Sequence, residues 1–198
     1  GRLPLETLRL SEDLVRRQWG SRLLRGWTDD WMALSTRIGD KIARLLGAQA
    51  GEVVVADSTS VVLYKLVVAA LQARQGRSRV VTDDMNFPSD LYIIQAAVNL
   101  VSPGTEIKMV PSRDDITVPM DDILAQINEN TALVVLSHVS FKSSYLYDMR
   151  AITQQAHKYG ALVLWDVSHS AGALRVDLGE CEVDLAVGCS YKYLHGGP

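Results

Sequence analysis

From Val53 onward this chain alternates between short, continuous apolar runs and segments of helix length, and that alternation limits what it can fold into. The runs occupy residues 53–56, 79–82, 107–110, 132–136, 162–165 and 185–188. Unbroken Val/Leu runs of this length suit strands buried on both faces, because no side of such a strand meets water. The stretches between them read as helices near 60–73, 88–100, 120–128 and 149–159. Strands joined by helix-length crossovers imply right-handed parallel connections. The predicted fold class is α/β, a three-layer α/β/α arrangement around a mostly parallel sheet. Residues 5–25 and 31–47 read as two further helices, the second closed by Gly47, a residue suited to a helix stop. The chain thus divides into an N-terminal helical segment, 1–50, and a sheet domain, 51–198.

Composition excludes several classes of function. With 47% hydrophobic residues, 22% charged residues and a net charge of −3, the chain reads as an ordinary globular one. Its charge offers no footprint for nucleic acid or an anionic membrane. The longest apolar stretch, Leu66-Val67-Val68-Ala69-Ala70-Leu71, is too short to span a bilayer. Cys181 and Cys189 form no CxxC pair and no disulfide framework, so a reducing, cytoplasmic setting is expected. His138 and His157 lack metal-ligand spacing with each other or with the cysteines, and no metal site is expected.

Ligands of open parallel sheets bind beyond the carboxyl ends of the strands, and the unusual residues of this chain gather there. Ser58, Thr59 and Ser60 open a helix, where they serve either as a plain N-cap or as an anion site suited to phosphate. Phe87, in Asn86-Phe87-Pro88-Ser89-Asp90, either staples into the core or stacks on a planar ring, and Pro88 fits a first helical turn. Ser137 and His138 end the fourth run. Asp166 follows Trp165 at the end of the fifth; buried there, a carboxylate needs a cation or several donors. It is either the cap of the next turn or the partner of a protonated pyridine nitrogen, with His169 one helical turn away. Lys192, just past the sixth run, is either a solvated surface lysine or a partly desolvated nucleophile able to hold a carbonyl cofactor as a Schiff base. Tyr191 beside it is a core residue or an acid/base hydroxyl.

Four motifs, in chain order, carry a resemblance: Ala56-Asp57-Ser58-Thr59-Ser60-Val61, Asn86-Phe87-Pro88-Ser89-Asp90-Leu91-Tyr92, Trp165-Asp166-Val167-Ser168-His169-Ser170-Ala171-Gly172-Ala173 and Gly188-Cys189-Ser190-Tyr191-Lys192-Tyr193-Leu194. The chain resembles the kynureninase family of fold-type I pyridoxal-phosphate enzymes along nearly its whole length. That resemblance implies pyridoxal 5'-phosphate as cofactor, with Lys192 as its anchor and as the base that moves the substrate Cα proton. It implies that Thr59 and Ser60 hold the phosphate and that Phe87, in one motif with Pro88 and Ser89, covers the ring with Asp90 nearby. Asp166 would face the ring nitrogen with His169 close by, Tyr191 would reach the phosphate and serve acid/base steps, and Ser137 would make a further contact. The implied reaction is hydrolysis of L-kynurenine, or its 3-hydroxy form, to anthranilate (or 3-hydroxyanthranilate) and L-alanine, by a homodimer. The competing expectations are another fold-type I enzyme, a cysteine desulfurase or aminotransferase, and a truncated binding protein without catalysis.

The chain departs from the family pattern at Val62 (commonly asparagine), Ser144 (glycine), Tyr147 (histidine) and His195 (asparagine). Ser144 is expected to strain a turn that glycine enters freely. The resemblance also implies a longer whole protein, with residues before Arg2 and, after Pro198, a further strand and a smaller C-terminal domain. By that topology the further strand lies between the sixth run and the first. Residues 53–56 and 185–188 are then expected to lack their central partner, leaving the chain alone poorly soluble or partly unfolded, and inactive.

Overall fold

The computed structural model describes residues 3–197. Gly1, Arg2 and Pro198 lie outside the described residues, together with the expectations that fall on Arg2 and Pro198. Five strands, β1 (Arg79–Asp83), β2 (Glu106–Val110), β3 (Thr131–Ser137), β4 (Leu162–Asp166) and β5 (Leu185–Val187), form one sheet in the order β2-β1-β3-β4-β5. Every neighbouring pair is parallel. The helices are α1 (Leu5–Asp13), α2 (Met32–Leu46), α3 (Thr59–Ala73), α4 (Pro88–Val101), α5 (Met120–Leu124) and α6 (Met149–Lys158).

Successive side chains of a strand point to opposite faces, and β3, buried at every position, shows what that does here. Leu133 and Val135 pack with Leu63 and Val67 of α3 and Ile94 of α4. Val134 and Leu136 pack on the other side with Ile123 of α5, Ile152 of α6 and Trp165. Each such fully buried aliphatic side chain contributes about 1.5–3 kcal/mol, so the two cores fix the sheet between its helical layers. Helix α2 joins the α6-side core through Ile42 and Leu46, and its end is tied by hydrogen bonds from the Leu178 and Gly179 amides to the Leu46 and Gly47 carbonyls. Gly47 takes a left-handed φ of 66°, as its reading as a helix stop requires. Among the described residues no helix is long and apolar enough to cross a membrane.

Three expectations about local structure are corrected. Residues 53–56 form no strand. The segment lies against α2, where the Val55 amide donates to the Ser35 carbonyl and the Ser35 hydroxyl donates to the Val55 carbonyl. Val54 is 61% exposed, and β5, the edge strand on that side, pairs with β4 alone among the described strands. A strand exists through its ladder, and no neighbour supplies one here. The helix expected over 120–128 stops at Leu124, after which Gln126 and Ile127 turn back on the carbonyls three residues earlier. The first helix, expected over 5–25, is α-helical only to Asp13. It then widens into i→i+5 turns over Leu14–Trp19 and breaks before Leu23, whose φ is 48°. Its expected apolar face, including Leu5, Leu8 and Leu24, is exposed.

Candidate active site at the carboxyl ends of the strands

The carboxyl ends of β4 and β5 and the first turn of α4 open onto a cleft of about 980 Å³, walled on its far side by residues 53–60. Thr59, Ser60, Phe87, Ser89, Asp90, Asp166, Tyr191 and Lys192 all line it. Pro88, Ser137 and His169 do not line it, and each is tied to a residue that does or stands beside one.

The α3 end is built by Ser58, whose hydroxyl caps the Val61 amide at 3.4 Å. The plain N-cap reading of Ser58 therefore holds, and the first turn of α3, whose leading amides have no partner within the helix, lines the cleft. The Thr59 hydroxyl donates to the Gly188 carbonyl at 3.1 Å, bridging α3 to the end of β5. On the opposite wall, Pro88 opens α4 at its first turn and Phe87 precedes it in extended backbone. Phe87 is held from two sides. Its amide donates to Asn86 Oδ1 at 2.8 Å, and its ring meets Phe141 edge-to-face at 5.2 Å. Asn86 is the hub, because its Oδ1 also accepts from the Ser137 hydroxyl at 2.7 Å and its Nδ2 reaches Thr82 Oγ1 at 3.2 Å. Phe87 is thus a presented aromatic face, and Lys192 Nζ lies 5.6 Å from its ring centroid.

Lys192 stands in a turn after β5, with Nζ also 5.7 Å from the Tyr191 ring. That turn rests on Gly172, where an added Cβ would lie 2.7 Å from the Tyr193 carbonyl oxygen. With φ at +84°, Gly172 permits both the backbone turn and the close approach that seats Lys192. Cys189, by its charge and a hydrogen bond, raises the Tyr191 hydroxyl above its ordinary value.

The floor is a pair of buried carboxylates. Asp166 ends β4; its Oδ1 accepts from the Ser168 amide at 2.7 Å, and its carbonyl accepts from the His138 amide at 2.9 Å. Asp90, only 2% exposed, lies beside it on the first turn of α4. Burial first, then the Asp166 charge, pushes Asp90 up to about 7, while Ser89 and Lys192 act in the other direction. Asp90 Oδ2 is buried with no hydrogen-bond partner. His169 feels both Lys192 and Asp166, and burial together with Lys192 lowers it below the usual imidazole value. His138, edge-on to Trp165 at 5.8 Å, is driven down to about 4 by burial. Among the described residues no group of three or more His, Cys, Asp or Glu could hold a metal.

Sequence reasoning named Phe87 and Asp166 but missed what holds them. Asn86 and Ser168 stand inside the motifs without an assigned role: Asn86 acts through Ser137, 51 positions away, and Ser168 through its backbone amide, which no side chain announces. Asp83, hydrogen-bonded to Tyr147 at 2.9 Å beneath the Phe87 turn, carried no signal in the sequence, and Tyr147 stood out only as a departure from the family pattern.

Residues 25–198 match the model of the family described as Aminotransferase class-V. The chain is 40% identical over its whole length to the kynureninase of Pseudomonas fluorescens, and 39% to that of Burkholderia pseudomallei (strain 1106a). In each case it spans 47% of the relative's length. Two solved structures share the fold. A C-DES variant with glycine covalently linked to its PLP cofactor superposes with a TM-score of 0.83 at 17% identity, over 98% of this chain and 51% of that one. The apo cysteine desulfurase of Thermococcus onnurineus superposes at 0.81 and 20% identity, over 100% of this chain and 49% of that one. At these identities the two structures establish the fold and nothing finer. The chain belongs to the class-V aminotransferase family.

Proposed function

We propose that the whole protein carrying this chain binds pyridoxal 5'-phosphate and hydrolyses L-kynurenine, or 3-hydroxykynurenine, to anthranilate, or 3-hydroxyanthranilate, and L-alanine. The observation that carries the reading is the convergence of a lysine, an aromatic face and a buried carboxylate pair on one cleft, in a chain 40% identical throughout to a kynureninase. The donor set fits the cofactor. Asp90 Oδ2 is a buried acceptor without a hydrogen-bond partner beside Asp166, and a protonated ring nitrogen held by Asp166 would relieve the like-charge contact between the two. The first-turn amides of α3 and the Ser60 hydroxyl suit a phosphate dianion, and the Thr59 hydroxyl, now donating to the Gly188 carbonyl, lies beside them.

When bound, pyridoxal phosphate supplies an electron sink for the pair released at the substrate α-carbon. The residues of this chain do the rest. Asp166, fixed by the Ser168 amide, keeps the ring nitrogen protonated. Phe87, locked by Asn86 and Phe141, covers one ring face. Lys192 Nζ would hold the cofactor carbonyl, and as an amine in the same cleft it would serve as the base for the substrate Cα proton. Tyr191 presents its hydroxyl at the rim for a phosphate contact and proton transfer, with Ser89, Ser137 and His169 as supporting contacts. Water adds to the γ-carbonyl, and Cβ–Cγ cleavage returns one molecule each of the aromatic acid and alanine. Two free cysteines agree with a reducing cytoplasm, and the exposed apolar residues of α1 and α2, among them Leu5, Leu8 and Met32, agree with a homodimer.

The test is an assay of the intact protein with pyridoxal phosphate on L-kynurenine, 3-hydroxykynurenine, L-cysteine and amino-acid/keto-acid pairs. Release of anthranilate or its hydroxy form is expected, with neither sulfide nor amino transfer. Turnover of cysteine or of a keto-acid pair in place of kynurenine refutes the reading.

A further inference from the structure

Beneath the cleft, and touching nothing in it, lies a buried pair that the reaction as described leaves without work. Asp83, 1% exposed, ends β1, and its Oδ2 accepts the Tyr147 hydroxyl at 2.9 Å. The two residues root different loops. Asp83 begins the turn that carries Asn86 and Phe87, and the Met85 and Asn86 amides face its carboxylate. Tyr147 closes the excursion after β3 that carries Phe141, where its own amide donates to the His138 carbonyl and the Ser140 amide to the Tyr145 carbonyl. At their tips the same loops meet again as the Phe87–Phe141 edge-to-face pair, and Lys192 sits over Phe87. Tyr147 is itself wedged against Tyr145 at 5.0 Å and tilted on Trp165 at 6.5 Å, the residue before Asp166.

We propose that the Asp83–Tyr147 hydrogen bond is a latch between the two loops, and that both residues are positioning residues that hold Phe87 against the cofactor ring. The proposal rests on the functional reading above and goes past it, since neither residue reaches the cleft. Geometry makes the latch demanding: Asp83 Oδ1 is buried without a partner, so Tyr147 is the one side-chain donor that the carboxylate has among the described residues. Loss of the hydroxyl leaves a wholly buried carboxylate supported by backbone amides alone, and the turn must shift to find water. Apart from Tyr147, the ionisable group acting on Asp83 is Asp84, whose like charge adds to the burial that raises it to about 6. The latch therefore closes on a carboxylate that burial and Asp84 make harder to ionise.

Tyr147→Phe keeps the ring and its packing on Tyr145 and Trp165 while removing the hydroxyl; Asp83→Asn keeps the shape and removes the charge. Both, and the double variant, are made in the intact protein loaded with pyridoxal phosphate. They are compared by visible circular dichroism of the cofactor between pH 5 and 8.5 and by kcat and KM. In Tyr147→Phe, kcat is expected to fall roughly tenfold at pH 8 with KM within about twofold, as loss of ring placement rather than of substrate binding. The dichroic band is expected to weaken, and to recover as pH falls and Asp83 is protonated. Asp83→Asn is expected to remove that pH dependence, and the double variant to fall no further than the worse single one. Cofactor dichroism and kcat in Tyr147→Phe that match the unaltered protein across the range overturn the latch while leaving the functional reading intact. If Tyr147→Phe does not fold, Asp83→Ala, which removes the acceptor, decides alone, and cofactor dichroism and kcat identical to those of the unaltered protein overturn the proposal. If the unaltered protein binds no pyridoxal phosphate, the functional reading itself fails and this role with it.

Discussion

His138 makes acid stability a quantitative test of the buried polar layer under the cleft. Its side chain is 7% exposed, its Nδ1 has no hydrogen-bond partner, and burial alone takes it from 6.5 to about 4. A base depressed in the folded state gains its proton first in the unfolded state. The stability it contributes is therefore complete above pH 6.5 and is lost as pH falls toward 4. At about 1.4 kcal/mol per unit, the full loss amounts to roughly 3 kcal/mol, with about 2 kcal/mol already gone at pH 5. Total acid stability does not show this directly, because Asp83, raised to about 6, gains stability over much of the same interval. The comparison with His138→Leu isolates it, since both proteins keep Asp83 and leucine has similar volume with no polar atom to satisfy. Urea unfolding of the two proteins at closely spaced pH values between 4.5 and 8 is the assay. The stability difference should be constant above pH 7 and move by about 2 kcal/mol in favour of the leucine variant by pH 5. A difference that stays flat over that interval means that His138 takes up its proton in the folded protein at an ordinary pH, and the sealed layer drawn here is wrong.

Two further outcomes follow from the same structure. Asp90→Asn removes a carboxylate raised by burial and by Asp166. An acid whose folded value is raised destabilises once ionised, so the variant without cofactor should be more stable by roughly 1–3 kcal/mol at pH 8, the gain vanishing toward pH 4, while pyridoxal phosphate binds more weakly. A gain independent of pH would remove the like-charge contact as its cause. Ser144 does take the strained turn expected of it, with a φ of 63°. Ser144→Gly should stabilise by about 0.5–1 kcal/mol, read as a shift in urea midpoint at constant slope, whereas a loss of stability would show that the serine side chain compensates for its backbone.

What was legible in the sequence follows from how locally each feature is encoded. The runs at 132–136 and 162–165 became β3 and β4 because a strand sealed on both faces must be apolar throughout, and their burial shows that requirement met. Residues 53–56 have the same composition and still form no strand, since pairing depends on a neighbour that no local pattern encodes. At the cleft, Phe87, Asp166 and Lys192 could be singled out because a polar or aromatic residue at a strand end is conspicuous against an apolar run. The contacts that orient them span the fold: Ser137 reaches Asn86 across 51 positions, and Tyr147 reaches Asp83 across 64. Tyr147 was visible only as a departure from a family pattern. Its meaning came from the carboxylate that the fold sets against it.

The central claim is that Lys192 anchors the cofactor, and reconstitution of the intact protein with pyridoxal phosphate tests it most directly. A visible absorbance band should form in the unaltered protein, and borohydride reduction followed by peptide mapping should place the modified residue at Lys192. The band should be absent from Lys192→Ala. A band retained in Lys192→Ala, or a label fixed on another lysine, would contradict the account.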